Sequence, residues 1–265
     1  MNSMLGSLSP IARAILPVQT FERMRAISSR RYQVKLFKRL GLVRAAGKFV
    51  NEYGSTVRNG PFKGLVYPRE AALNRHIIPK LLGTYEQELH GVLEIVSRRK
   101  YDCIIDVGSA EGYYAVGLAR LTGIPVYAFD PEPIEKRFCS EMARLNRVSH
   151  LVTIQDFFSP SDVPRFTGKR VLMISDCEGF ETQIFTQATL ESMAGWDVIV
   201  ELHGAAQKLL PALSWPGSCR VIATESRVGL GFSELAQIPG ADSAALLNEY
   251  RGGEQSWLWC DSQVQ

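Results

Sequence analysis

Short apolar runs alternate with stretches of helical periodicity from residue 101 onward, and this alternation limits the fold more than any other feature. The runs are rich in Val and Ile and lack the polar alternation of a half-exposed strand. Strands that are apolar on both faces and joined by helices predict a mostly parallel α/β sheet with helices on both faces. The runs predicted as strands, about seven in all, are 103–108, 125–130, 151–156, 170–176, 196–204, 219–224 and 256–260.

Composition excludes several classes of protein. The 265 residues are 46% hydrophobic, which suits a large α/β domain and is too apolar for a disordered chain. No apolar run approaches the roughly 20 residues that span a bilayer, and no cleavable signal peptide is expected. The five cysteines show neither CxxC nor Cys/His spacing. They predict reduced core thiols in a cytoplasmic protein.

The amino-terminal part of the chain differs from the rest in charge. Residues 1–70 hold 13 Lys and Arg against 3 Asp and Glu, whereas the remainder holds 17 against 24. The net charge of +3 therefore combines a basic segment over 1–70, here called the basic head, with an acidic remainder, here called the body. Apolar residues at helical spacing from Ile11 to Val50 predict helix, and 51–70 is predicted irregular or hairpin-like. We expect a mainly helical extension over 1–78 before a domain over 79–265. The extension would pack on the body, form a homodimer or cap a substrate pocket.

The segment IIDVGSAEGYYA, residues 104–115, predicts a strand, a glycine turn and a helix. Gly108 and Gly112 are expected where the backbone turns sharply and a ligand approaches closely. The next strand ends in Asp130, 22 residues after Gly108, where an acid commonly binds ribose hydroxyls. The spacing GxxxG disfavours NAD, whose diphosphate needs GxGxxG, and tolerates an amino-acid tail such as that of S-adenosylmethionine. Alternatively, these residues form only a turn and a helix cap.

Acidic residues follow the later strands as well. Asp156 ends the third strand, where it would accept a hydrogen bond from an adenine amino group or lie in an exposed loop. Asp176 and Glu178 follow the fourth strand, with Glu181 opening the next helix.

The fifth strand ends in Glu201 and His203, also two residues apart. If the fourth and fifth strands are neighbours, three carboxylates and an imidazole converge at the carboxyl edge of the sheet. His203 titrates near neutral pH and is the candidate for removing a hydroxyl proton. The alternative is that the acids are helix-terminal charges and His203 is an ordinary loop residue.

On these motifs the chain resembles class I S-adenosylmethionine-dependent methyltransferases, and more narrowly the FkbM-type family. The resemblance runs from about Pro79 to the carboxyl terminus. Asn146 and the Asp-x-Glu-Gly-x-Glu run at 176–181 are part of it, and one departure is Ile174, where many members have Lys. The segments that carry it are LLGTYEQEL, IIDVGSAEGYYAVGLA, YAFDPEP, ISDCEGFE and VIVELHG.

The resemblance implies a Rossmann-like fold and O-methylation of a small molecule such as a sugar, a glycoside or a polyketide-type secondary metabolite. It implies His203 as the base, with Asp176, Glu178 and Glu201 orienting the base and the acceptor. No metal is expected; if a divalent cation takes part, Asp176, Glu201 and His203 would hold it. The residues implied to bind S-adenosylmethionine are Tyr85, Glu86, Asp106, Gly108, Ser109, Gly112, Tyr113, Asp130, Pro131, Asp156 and Asp176.

Three other functions are compatible with parts of the sequence. A nicotinamide-dependent oxidoreductase would share the sheet but needs the tighter glycine loop. An RNA methyltransferase would bind its RNA through the basic head, although the head lacks an RNA-binding signature. A binding module without catalysis would not need the acidic cluster. Neither a membrane nor a nucleic acid is expected as a partner.

Overall fold

A computed structural model describes residues 41–73, 77–227, 231–236, 238, 243–249 and 255–263. The seven predicted strands are confirmed, each within a few residues of its predicted ends. Val and Ile favour these extended segments because their branched side chains pack well on a pleated surface. The strands are β1 (Cys103–Val107), β2 (Val126–Phe129), β3 (Val152–Gln155), β4 (Val171–Ser175), β5 (Asp197–Glu201), β6 (Ser218–Ala223) and β7 (Ser256–Asp261).

The seven strands form one sheet in the order β3-β2-β1-β4-β5-β7-β6. Strands β1 to β5 are parallel, and β7 is antiparallel to both β5 and β6. The Rossmann-like class I methyltransferase fold is therefore confirmed. The chain leaves β3 at one edge and returns beside β1 as β4, so the strand order reverses between β1 and β4. In open α/β sheets the ligand crevice lies at the carboxyl ends of the strands at such a reversal.

Helices cover both faces of the sheet, as predicted. Neighbouring residues of β1 take part in different cores, because successive side chains of a strand point to opposite faces. Ile104 belongs to one hydrophobic core and Ile105 to the other. The helices of the described residues are α1 (Leu42–Tyr53), α2 (Arg69–Leu73), α3 (Ile78–Leu82), α4 (His90–Ser97), α5 (Tyr113–Thr122), α6 (Pro133–Leu145), α7 (Glu181–Ile184), α8 (Gln187–Glu191), α9 (Ala206–Leu209), α10 (Ser233–Ala236) and α11 (Ser243–Leu247).

Every helix in the described ranges falls short of the length and apolarity needed to cross a bilayer.

The helical stretch before β1 is divided at Gly83, which has a φ of 78° and ends α3. Pro79 lies in the first turn of α3, where a missing N–H costs no helical hydrogen bond.

Residues 41–73 of the predicted extension pack into the core beside α5. Their hairpin-like part is confirmed by an antiparallel bridge between Thr56 and Val66. Phe62 lies so close to α5 that a Cβ on Gly117 would be 2.8 Å from its ring. Asn146 exchanges two hydrogen bonds with the backbone of Val66, at 2.8 and 2.9 Å. Residues 1–40, most of the basic head, lie outside the described residues, and the role of the head stays a prediction.

The cysteine prediction is wrong for one pair. Cys219 and Cys260 face each other directly across β6 and β7, with Cα atoms 4.1 Å apart, and form a disulfide. The long sequence separation of the two residues hid this register. Cys103, Cys139 and Cys177 are free thiols. The predicted cytoplasmic location therefore loses the support of fully reduced cysteines.

Candidate functional site

The acidic residues at the ends of β4 and β5 converge because these strands are parallel neighbours. His203 Nε2 is 3.4 Å from a carboxylate oxygen of Glu201 and 3.7 Å from one of Asp176. Carboxylate oxygens of Glu86, Asp176 and Glu201 all lie within 4.8 Å of one another. The structure thus joins the predicted strand-end residues with Glu86 from a segment that precedes the sheet. This concentration of negative charge suits a bound cation.

Glu181 is the closest described partner of His203. Its Oε1 is 2.9 Å from His203 Nδ1, and it also accepts the backbone N–H of Cys177 at 3.2 Å. Glu181 is fully buried. From the sequence, Glu181 is predicted to open a helix and Glu178 to belong to the catalytic set, but Glu178 is exposed, with a φ of 55°. The contact between Glu181 and His203 joins residues 22 positions apart, so only the folded chain reveals it.

These contacts set the charge of His203. Burial lowers its pKa, but the hydrogen bond to Glu181 and the charges of Asp176, Glu181 and Glu178 outweigh burial and raise the pKa to about 9. Burial raises the pKa of Glu181, and the hydrogen bond and charge of His203 outweigh it, so this pKa lies below its usual value. The two residues therefore form an imidazolium–carboxylate pair at neutral pH.

Glu86 reaches the cluster from the turn that follows α3. It is buried and adopts a left-handed backbone conformation with a φ of 47°. Its carboxylate accepts a hydrogen bond from the Tyr114 hydroxyl, and its backbone N–H donates to Glu249 at 3.1 Å. The neighbouring Tyr85 ring packs edge-on against Tyr113, with centroids 5.2 Å apart. Glu86, Tyr85 and Tyr113, which the resemblance implies to bind the cofactor, thus lie together, and their role stays a prediction.

In the glycine loop between β1 and α5, every second residue from 108 to 112 adopts a left-handed backbone conformation. Gly108, Ala110 and Gly112 have φ values of 83°, 47° and 100°. A Cβ on Gly108 would lie 1.8 Å from the backbone oxygen of Asp176. The end of β4 occupies the space of that Cβ, so Gly108 allows β1 and β4 to bring their ends together. Close approach of a ligand to this glycine stays a prediction.

The backbone N–H groups of the glycine loop are largely used within the protein. Those of Gly108 and Ser109 donate to the Phe129 carbonyl, at 2.9 and 3.1 Å. The N–H of Ala110 donates to Asp130 at 2.9 Å, and that of Gly112 donates to the Ser109 carbonyl at 2.8 Å. A ligand at this loop must therefore find other donors for its acceptor atoms.

Two side chains at the loop keep buried polar atoms without a hydrogen-bond partner among the described residues. These atoms are Asp106 Oδ2 and Ser109 Oγ. Burial, together with the nearby charges of Asp176 and Asp130, raises the pKa of Asp106 to about 8, against the hydrogen bond from the Ala115 N–H. A buried acid with an unused oxygen is costly for a fold alone, and it suits a cationic ligand group.

The two acids predicted to hold the adenosine end differ in environment. Asp130 is buried next to half-buried Pro131, and accepts the N–H groups of Ala110 and Glu132 at 2.9 and 2.8 Å. Asp156 has a side chain that is 81% exposed and pairs with Lys136. Its role at an adenine ring stays a prediction.

A buried ion pair that sequence analysis missed lies beside the glycine loop. Lys80 Nζ is 2.5 Å from Glu111 Oε1, and Glu111, which is fully buried, also accepts the Tyr67 hydroxyl at 3.3 Å. The signal was present in the sequence: a single Lys within the apolar run IIPKLL and a single Glu within the glycine loop. Only the packing of α3 against the loop brings the two together.

No protein-family model and no curated protein matches this chain. Solved structures do match. The O-methyltransferase TomG from Streptomyces achromogenes is 15% identical, with 82% of this chain and 89% of TomG covered and a TM-score of 0.45. A putative O-methyltransferase from Klebsiella pneumoniae is 12% identical, with coverages of 87% and 96% and a TM-score of 0.42. TrmN from Thermus thermophilus is 17% identical, with coverages of 71% and 52% and a TM-score of 0.42. These similarities concern the fold and support no assignment of activity.

Proposed function

We propose that this protein is an S-adenosylmethionine-dependent methyltransferase of the FkbM type that methylates a hydroxyl group of a small molecule, such as a sugar, glycoside or polyketide. The observation that carries the proposal is the convergence of Glu86, Asp176 and Glu201 on His203 at the carboxyl edge of the sheet. Such a site combines binding groups for a cation with a base at the position where α/β folds bind ligands.

The residues around the glycine loop fit S-adenosylmethionine in their chemistry. When bound, this molecule supplies a methyl group on a positively charged sulfur and carries an α-ammonium group. Asp106 Oδ2, buried and without a partner among the described residues, would accept from the ammonium. Asp130, buried where β2 ends, would accept from the ribose hydroxyls. The cluster of Glu86, Asp176 and Glu201 would stabilise the sulfonium charge.

His203 is the proposed base. Methylation of a hydroxyl forms a carbon–oxygen bond, breaks the carbon–sulfur bond and releases the hydroxyl proton, which His203 Nε2 would accept. Glu181 holds the opposite ring nitrogen, so that Nε2 faces the site and the resulting imidazolium is stabilised. With its pKa near 9, His203 is largely protonated at pH 7. A positive charge held by Glu86, Asp176 and Glu201 would lower this pKa, because like charges disfavour each other.

The test measures methyl transfer and ligand binding separately. Labelled S-adenosylmethionine is incubated with a panel of hydroxylated acceptors, with and without EDTA, and calorimetry measures binding of S-adenosylhomocysteine. His203→Gln is expected to bind the product normally and to lose at least about 100-fold in turnover. The matched control is His150→Gln, an exposed histidine before β3, which is expected to keep full turnover. EDTA is expected to have no effect.

Two results would contradict the proposal. Unchanged turnover in His203→Gln would remove this residue as the base. Failure to bind S-adenosylmethionine or its product at millimolar concentration would remove the cofactor. Glu181→Gln tests whether Glu181 acts on His203 or only supports the fold. If it acts on His203, the pH–rate profile is expected to shift to lower pH, because the variant removes a negative charge that holds the His203 pKa high.

A further inference from the structure

Lys80 lies beside Tyr85 and Tyr113, two residues that the resemblance implies to bind the cofactor. Its Nζ is 4.5 Å from the centroid of the Tyr85 ring and 5.3 Å from that of Tyr113, and 2.5 Å from the buried carboxylate of Glu111. Its side chain is only 12% exposed. A cation over two aromatic faces and against a carboxylate is held in place from several sides, so its charge has a fixed position.

The amino-acid tail of S-adenosylmethionine carries two opposite charges. Its ammonium suits the acidic surroundings of Asp106, but its carboxylate is repelled by them and needs a hydrogen-bond donor or a cation. The N–H groups of Gly108, Ser109, Ala110 and Gly112 already donate to acceptors within the protein. The loop therefore leaves the carboxylate without these four donors.

We propose that Lys80 binds the carboxylate of the cofactor's amino-acid tail; the inference rests on the proposed function and adds a residue that sequence analysis did not find. An ammonium group has three N–H donors, and Glu111 accepts at only one position of Lys80, so the same group can serve both carboxylates. Tyr85 and Tyr113 fix the side chain between them. Lys80 then offers a donor to the carboxylate of the zwitterionic tail, and Asp106 Oδ2 an acceptor to its ammonium.

The test compares two ligands that differ only in the carboxylate, S-adenosylmethionine and decarboxylated S-adenosylmethionine, by calorimetry. The wild type is expected to bind the complete ligand about 10- to 100-fold more tightly, as for a charge-assisted hydrogen bond. In Lys80→Met this preference is expected to fall to about one, because the decarboxylated ligand never used the lysine. Lys169→Met is the matched control, since Lys169 is an exposed lysine 5.7 Å from the Phe166 ring centroid. It is expected to keep the full preference.

Loss of the lysine also leaves Glu111 buried without this cation, and the single variant risks unfolding. Lys80→Met combined with Glu111→Gln removes both charges and is expected to fold and still to lose the preference. A preference unchanged in either variant, or equal weakening of both ligands, overturns the role of Lys80 while the proposed function stands. A wild type that binds neither ligand overturns the proposed function itself, and this inference with it.

Discussion

Strand β5 carries a buried carboxylate at each end, and the two have opposite surroundings. Asp197, at the amino end, faces Arg99 at 2.7 Å and the Tyr101 hydroxyl at 2.5 Å. It also accepts the N–H and hydroxyl of Ser262, at 2.9 and 2.7 Å. Glu201, at the carboxyl end, lies among Asp176, Glu86 and an imidazole. One end is arranged around a cation, and the other is crowded with acids.

The difference separates charges that stabilise a fold from charges that serve a site. At the amino end, Arg99 bridges Asp197 and Asp261, with both guanidinium nitrogens on Asp261 at 2.8 Å. This arrangement has the fixed fork geometry of a strong ion pair. Crowded carboxylates repel each other and cost stability, so a protein keeps them where binding or catalysis requires them.

Backbone conformation divides the molecule in the same way. Among the described residues, four non-glycine residues have a positive φ: Glu86, Ala110, Arg147 and Glu178. Three of the four lie in the loops that form the candidate site, and Arg147 follows α6. Left-handed conformations are unfavourable for these residue types and are held only by the surrounding structure. Strain is thus concentrated at the acidic end of the sheet.

The largest expected effect on stability is at the amino end of β5, where Arg99 pairs with Asp197 and Asp261. Arg99→Met leaves Asp197 and Asp261 buried without their cation, and we expect it to lower the free energy of unfolding by about 3–5 kcal/mol. Arg98→Met is the matched control, because Arg98 pairs with the exposed Glu94 and this surface pair contributes less than about 0.5 kcal/mol. Urea denaturation of both variants measures the difference. Equal destabilisation would mean that the amino-end cluster is no more structural than a surface pair.

The residues that the sequence predicts best are those fixed by strand ends. Short apolar runs place the strands, and neighbouring parallel strands end at one edge, so the spacing predicts Asp176, Glu201 and His203 there once β4 and β5 are neighbours. Glu86 came instead from a resemblance, because no spacing rule connects a turn before the sheet with β4 and β5.

The remaining contacts depend on packing that local patterns do not encode. Arg99 and Asp261 are 162 positions apart, and Glu181 meets His203 only because α7 begins after the left-handed turn at Glu178. The disulfide of Cys219 likewise depends on the register of two strands separated by a long connection. Periodicity predicts which elements form, but it does not predict which side chains meet between them.

The two ends are expected to respond to pH in opposite directions. His203 has a pKa of about 9 in the fold against an ordinary 6.5, so its contribution is complete below pH 6.5 and lost as pH rises through 9. The hydrogen bond from Arg99 holds the pKa of Asp261 below its ordinary 3.8, against burial, so that contribution is lost in acid.

Measuring the free energy of unfolding between pH 6 and 10 tests the loss of stability expected at alkaline pH from His203. We expect the wild type to lose on the order of 2–3 kcal/mol over this range relative to His203→Gln, which has no imidazole to titrate. Parallel curves for the two proteins would contradict the ion pair between Glu181 and His203. Arg99→Met should weaken the pH dependence of the free energy of unfolding in acid only. It should leave the dependence between pH 6 and 10 unchanged, since it removes no group near His203.

The smallest expected effect concerns Asp106, where the cost of the site can be measured directly. Its pKa of about 8 lies above the ordinary 3.8, so the fold loses stability as pH rises from 4 to 8. Asp106→Asn removes this charge and is expected to raise the free energy of unfolding at pH 8 by about 1 kcal/mol, because the buried amide offsets much of the gain. The exposed Asp102→Asn is the control and should change stability little. Asp106→Asn should also weaken binding of S-adenosylhomocysteine; a variant that is less stable, or that binds as well as the wild type, would place Asp106 with the structural acids of the opposite end.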